Sequence, residues 1–134
     1  MAEDFDITGR WKFREDFGFG TDSGYAQLIQ KGVLINGIFQ FAEQIEGEET
    51  FIVKQEVSGR LEGNKISLKA HSCEILFSED DIVYELDAWE GEIMQDGRIE
   101  GSSKDSEGTG GAFKMERESY ETSNLTDTRF VGLN

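Results

Sequence analysis

From Ile7 to Arg117 apolar and polar residues alternate one by one in short runs, each run ending at a glycine-centred or acidic turn. Almost nowhere does an apolar spacing of three and four persist long enough to make a helix, so the pattern specifies strands. Ile7 to Phe13 puts Ile7, Gly9, Trp11 and Phe13 on one face and Thr8, Arg10, Lys12 and Arg14 on the other. Tyr25 to Gln30 is a second strand, reached through the glycine-rich loop Phe17 to Gly24. Val33 to about Gln44 is a third, with Ile35, Gly37, Phe39 and Phe41 in phase. The clearest is the fourth, where Phe51, Val53, Gln55, Val57, Gly59 and Leu61 share a face. Gly63-Asn64 then turns the chain into a fifth strand with Ile66, Leu68 and Ala70 inward. Past Ala70 the phase slips to Cys73, Ile75 and Phe77, which a bulge near His71 or Ser72 explains. Ile82 to Ile93, with its own phase change, Ile99 to Ser103 and Gly111 to Arg117 complete about eight strands.

An open sheet of that length would expose two edges and an apolar face, whereas a closed barrel leaves neither. Inward glycines at Gly9, Gly37, Gly59, Gly91 and Gly101 relieve crowding where the sheet curls. The fold expected is therefore all-β, an eight-stranded antiparallel up-and-down barrel. It occupies residues 1–118 as a single domain, followed by a polar tail over 119–134 that docks through Phe130 or stays loose.

Gly9-Arg10-Trp11 at the start of the first strand, together with Arg117 at the end of the last, resembles the calycin superfamily of lipocalins, fatty-acid-binding proteins and streptavidin-type proteins. Ile7-Thr8-Gly9-Arg10-Trp11 looks most like the streptavidin-type opening, and the likeness covers roughly residues 6–118. What the resemblance implies is a barrel closed at one end by Trp11, with Arg117 packed over its indole. It does not bring biotin with it, because this chain has only Trp11 and Trp89 to offer a biotin pocket. Nor does it supply the inward basic residues that hold a fatty acid, apart from Arg117.

Charge narrows the partners. With 28 acidic against 13 basic residues and a net charge of -15, the chain repels phosphate backbones and anionic lipid surfaces. Neither nucleic acid nor a membrane is an expected partner, and no apolar run approaches bilayer length. The N-terminal residues lack the features of a secretory signal and Cys73 is the one cysteine, so a cytoplasmic location is expected and Asn124-Leu125-Thr126 is read as an unused sequon.

No motif fixes a reaction, and no catalytic residue, metal or cofactor is assigned. His71 and Cys73 have no further histidine or cysteine pair to complete a site, and the reading of that step is a bulge. Glu43, Glu46, Glu48 and Glu49, and likewise Glu79, Asp80 and Asp81, read as solvated turns. Glu85, Asp87, Glu90 and Glu92 read as an exposed acidic face, although the phase change there can turn one carboxylate inward and raise its pKa. The glycine loop carries Phe17 and Phe19, placed to act as a lid.

The leading functional expectation is a barrel that binds a small apolar or amphipathic ligand, since such barrels offer a concave interior. Gln55, Tyr84 and Ser103 are its polar lining and Phe39 and Phe51 its apolar lining. The alternatives are an acidic interaction or inhibitor module engaging a basic protein, and a filled structural barrel that forms homo-oligomers.

Overall fold

A computed structural model describes residues 5–76, 78 and 84–120. Eight strands follow one another around a closed barrel: β1 (Gly9–Asp16), β2 (Gly20–Lys31), β3 (Leu34–Ile45), β4 (Phe51–Glu62), β5 (Lys65–Leu76), β6 (Asp87–Ile93), β7 (Ile99–Asp105) and β8 (Ala112–Ser119). Every neighbouring pair is antiparallel, and β1 closes the ring on β8 with Trp11 opposite Arg117 and Phe13 opposite Met115. The protein is thus an all-β, eight-stranded antiparallel up-and-down barrel. Among the described residues no helix is long and apolar enough to cross a membrane.

The alternation in the sequence becomes the inside and outside of the wall. Trp11, Phe39, Phe51, Val53 and Val57 are buried, while Lys12 and Arg60 are exposed on the outer face. Arg10 and Lys54 also face outward but are half-buried, Arg10 because its guanidinium lies 4.2 Å over the Tyr25 ring. Tight curvature explains the inward glycines. A Cβ on Gly59 would sit 1.8 Å from the Ser67 carbonyl oxygen, and one on Gly101 would sit 2.0 Å from that of Glu90.

Three sequence expectations change. The second strand begins at Gly20 rather than Tyr25, so Thr21, Asp22 and Ser23 belong to β2 and pair with β3; their polar side chains gave the stretch the look of a loop. The sixth strand begins at Asp87, and Tyr84 to Leu86 precede it without strand pairing. The cause lies in β5. Its pairing with β6 runs only from Lys65 to Lys69, after which β5 continues to Leu76 against β4 alone. Where these two strands part, the register of β4 and β5 shifts so that Glu56 faces Ser72 and Val57 faces Ala70. His71 is the extra residue of that bulge, exposed, and beyond it Cys73 and Ile75 pack against the core. The third change concerns Glu43, taken above as part of a solvated turn, which is buried near the end of β3.

Aromatic side chains fill the barrel. Phe13 stands at their centre, with ring centroids 5.0 Å from Phe39, 5.5 Å from Phe41, 6.2 Å from Trp89 and 6.3 Å from Phe113. Phe39 stacks on Trp89 at 4.4 Å. Offset and edge-on packing of this kind contributes about 0.5–1.5 kcal/mol per pair beyond simple burial. The middle of the lumen is a packed core.

Each end of the barrel is finished differently. At the end where β1 begins and β8 finishes, the Trp11 indole N–H donates to the Ile7 carbonyl at 2.9 Å. The Arg117 guanidinium carbon lies 4.8 Å from the Trp11 ring centroid and 4.2 Å from that of Tyr120. Arg117 also donates to the backbone carbonyls of Asp6 and Thr8, so aromatic faces and carbonyls together hold the cation that covers this end. The tail expected over 119–134 lies, from residue 121 onward, outside the described residues.

Candidate functional site

The opposite end is lined by carboxylates. Each arises in the same way: an inward-facing file of one strand finishes on an acid at this end. Trp11 and Phe13 lead to Glu15 on β1, Phe39 and Phe41 to Glu43 on β3, and Ile99, Gly101 and Ser103 to Asp105 on β7. On β2 and β6, which run the other way, the inward file opens with Asp22 and Asp87. Since all the strands lie in one ring, these five residues surround one concavity of about 210 Å³.

Phe17, Phe19, Ile45 and Tyr84 form the apolar part of its lining, and Glu85 and Glu107 add further acid at the rim. Among the described residues no lysine, arginine or histidine lines it. Phe17 and Phe19 meet edge to face at 4.8 Å, and Phe19 is exposed at the rim.

Buried acids need hydrogen-bond donors, and the barrel supplies them to some and not to others. Glu15 accepts from the Trp89 indole at 3.1 Å and from the Ser103 hydroxyl at 2.7 Å. Burial nevertheless pushes its carboxyl above the ordinary range, with Ser103 and Trp89 opposing the shift. Asp87 accepts from the Gln55 amide at 2.7 Å, and burial raises its pKa to about 7 against that bond. Glu43 accepts from the Tyr84 hydroxyl at 2.6 Å. Burial, reinforced by the surrounding acids, keeps the Tyr84 phenol protonated.

Asp22 is the least satisfied. The residue is 2 % exposed and lines the concavity beside Glu43. Among the described residues its Oδ1 has no hydrogen-bond partner. Burial first, then the neighbouring Glu43 carboxyl and the charge of the other acids, holds the Asp22 pKa far above the usual range, which favours its protonated form.

The residues chosen from sequence fall into two layers. Tyr84 lines the concavity directly, and Phe51 packs beneath it with ring centroids 6.2 Å apart. Gln55 and Ser103 lie one step deeper, inward as expected, and hold Asp87 and Glu15. Phe39 belongs to the core, stacked on Trp89. Trp11 and Arg117 are at the other end. Of the four acids assigned to an outer face, Asp87 is the one turned inward, while Glu90 and Glu92 are exposed.

Sequence reasoning passed over Glu15, Asp22 and Asp105 as site residues. For Glu15 and Asp105 the signal was present, because each extends an inward file by one step of two. Asp22 was concealed by the loop-like composition around it.

Cys73, opposite Gln55, has its thiol pushed up to about 11 by burial and the neighbouring acids, which keeps it protonated and poorly nucleophilic. Among the described residues no three histidine, cysteine, aspartate or glutamate side chains converge in an arrangement able to hold a metal ion.

Fold and site together define a closed up-and-down β-barrel with a filled lumen, one cation-covered end and one acidic, aromatic-rimmed end. No family model matches the chain, and no curated protein or solved structure is significantly similar to it.

Proposed function

We propose that the protein is a small-molecule-binding barrel that takes an amphipathic ligand at its acidic end rather than deep in the lumen. The observation that carries this reading is the contrast between the aromatic core, which leaves no room among Phe13, Phe39, Trp89 and Phe113, and the concavity above it. That concavity brings Tyr84, Phe17 and Phe19 together with buried carboxylates. The lining sets four apolar or aromatic side chains against seven acids, and its 210 Å³, below the usual range of about 300–1,000 Å³ for ligand sites, suits a ligand smaller than a typical drug. The apolar part of such a ligand rests on the phenyl rings, and its polar part meets the acids.

Calycin membership and a cytoplasmic location stand within this same proposal. The first is supported by the barrel topology with Arg117 over Trp11, the second by the single Cys73 with no partner cysteine in the chain.

The test is to titrate the full chain with a small library of cationic, neutral and anionic amphipathic compounds while following the Trp89 indole N–H, which is bonded to Glu15, by NMR. Saturable movement of that resonance and of the amides around Tyr84 supports the site. If no compound moves them while a basic protein binds with an affinity that falls steeply with salt, the net charge of -15 acts through the outer wall and the alternative reading replaces this one.

A further inference from the structure

Among the described residues, seven acidic side chains and no basic one line the acidic end. Those acids that are ionised focus a negative potential in this low-dielectric hollow, and an incoming cation is the species that relieves it. Charge alone does not make a site. The second observation is Asp22, 2 % exposed, lining the concavity, with Oδ1 lacking any hydrogen-bond partner among the described residues. An unmade bond on a buried acceptor is destabilising, and a ligand N–H at that atom removes the cost. The third is the aromatic rim. Phe17, Phe19 and Tyr84 offer ring faces and edges around the same hollow, and a cation near such faces is further stabilised.

The geometry points to an organic ammonium group as the polar part of the ligand, held by Asp22 and Glu43 with its carbon substituent against Phe17, Phe19 and Tyr84. The inference rests on the binding-site reading given above and names its ligand class. An organic cation fits better than a bare metal ion, because no three acidic side chains among the described residues converge as metal ligands. An ammonium with an apolar substituent needs only one or two well-placed acceptors and gains from the phenyl rings.

A consequence follows for protons. In the empty barrel the protonated form of Asp22 is favoured, and an ammonium beside it favours the ionised carboxylate. Binding therefore expels a proton to solvent, and affinity rises with pH until the amine itself deprotonates. The titratable groups that share the hollow with Asp22 are Glu43 on β3, Glu15 on β1, Asp87 on β6, Asp105 on β7, and Tyr84, Glu85 and Glu107 at the rim. All of them are acids, so none reverses the sign.

Phenethylamine, phenethyl alcohol and calcium ion, each added to the full chain, separate the outcomes. Phenethylamine is expected to move the Trp89 indole and Asp22 amide resonances with an affinity at least roughly tenfold above that of the alcohol. Calorimetry in buffers of different ionisation enthalpy is expected to register proton release. Asp22→Asn keeps the shape and neutrality of the empty state, so it folds, yet it cannot ionise; affinity for the amine is expected to fall about tenfold or more. Glu43→Gln is a second variant with the same expected direction.

If the alcohol binds at the same resonances as tightly as the amine, the ammonium assignment fails and the binding site stands. If calcium displaces the amine at equal concentration, or Asp22→Asn and Glu43→Gln leave amine affinity unchanged, the ammonium assignment is overturned. If none of the three probes moves these resonances, the ammonium assignment is overturned as well, while the binding site itself is judged by the wider library.

Discussion

Gln55 and Asp87 hold each other across the barrel: the Gln55 amide nitrogen donates to Asp87 Oδ2 at 2.7 Å, and the Asp87 backbone N–H donates to Gln55 Oε1 at 3.3 Å. One side chain on β4 thus fixes both the first residue of β6 and its carboxylate, at the level where β5 and β6 have stopped pairing. Replacing it with Gln55→Leu removes the donor that opposes burial at Asp87, so the Asp87 pKa is expected to rise above about 7. Stability is expected to fall by about 1–3 kcal/mol, the usual cost of leaving a buried polar group unpartnered. Carboxyl titration by NMR and urea unfolding check the two parts separately.

Stability is expected to decline as pH rises from about 5 to about 8. Glu15, Asp22 and Asp87 all retain protons in the fold at pH values where the unfolded chain has released them. The native state then binds more protons, and the unfolding free energy falls with increasing pH. For Asp87 the fall spans the interval from its ordinary value of 3.8 to about 7. Asp6 and Asp96 are shifted the other way and lose their contribution only in more acidic solution. Melting temperatures across this range measure the slope, and Asp87→Asn is expected to flatten it below about pH 7; an unchanged slope would rule out Asp87 as a source.

Arg117→Ala is expected to cost about 1–3 kcal/mol, through the loss of packing over Trp11 and Tyr120 more than through charge. Arg117→Lys is expected to recover only part of it, since an ammonium lacks the planar face and the forked donors that reach the carbonyls of Asp6 and Thr8. Guanidinium unfolding followed by tryptophan fluorescence compares the three proteins.

Gln40 presents the opposite situation. It faces outward on β3 yet is 0 % exposed, and among the described residues neither its amide nitrogen nor its amide oxygen has a hydrogen-bond partner. Gln40→Met keeps length and shape while removing both unsatisfied atoms. A gain of about 1–2 kcal/mol in thermal or denaturant unfolding is expected, and a loss would mean that the amide makes bonds in solution.

The alternation around Trp11, Phe39, Val53 and Ile99 made the strands, their inward faces and the closed barrel legible, because a period of two is a local property carried by each segment on its own. The bulge at His71 was legible for the same reason, as a break in that period. Local pattern also placed Gln55, Tyr84 and Ser103 inward, but it could not say what they would meet.

Their partners lie 32 residues away for Gln55 and Asp87, 41 for Tyr84 and Glu43, and 88 for Ser103 and Glu15. No spacing rule links such positions. Glu15, Asp22, Glu43, Asp87 and Asp105 each look in sequence like a polar residue near a turn, which is where acids ordinarily meet water. Ring closure alone set the ends of β1, β2, β3, β6 and β7 side by side around one hollow, and that closure gathered five acids far apart in sequence into a single cluster, four of them buried and Asp105 half-buried.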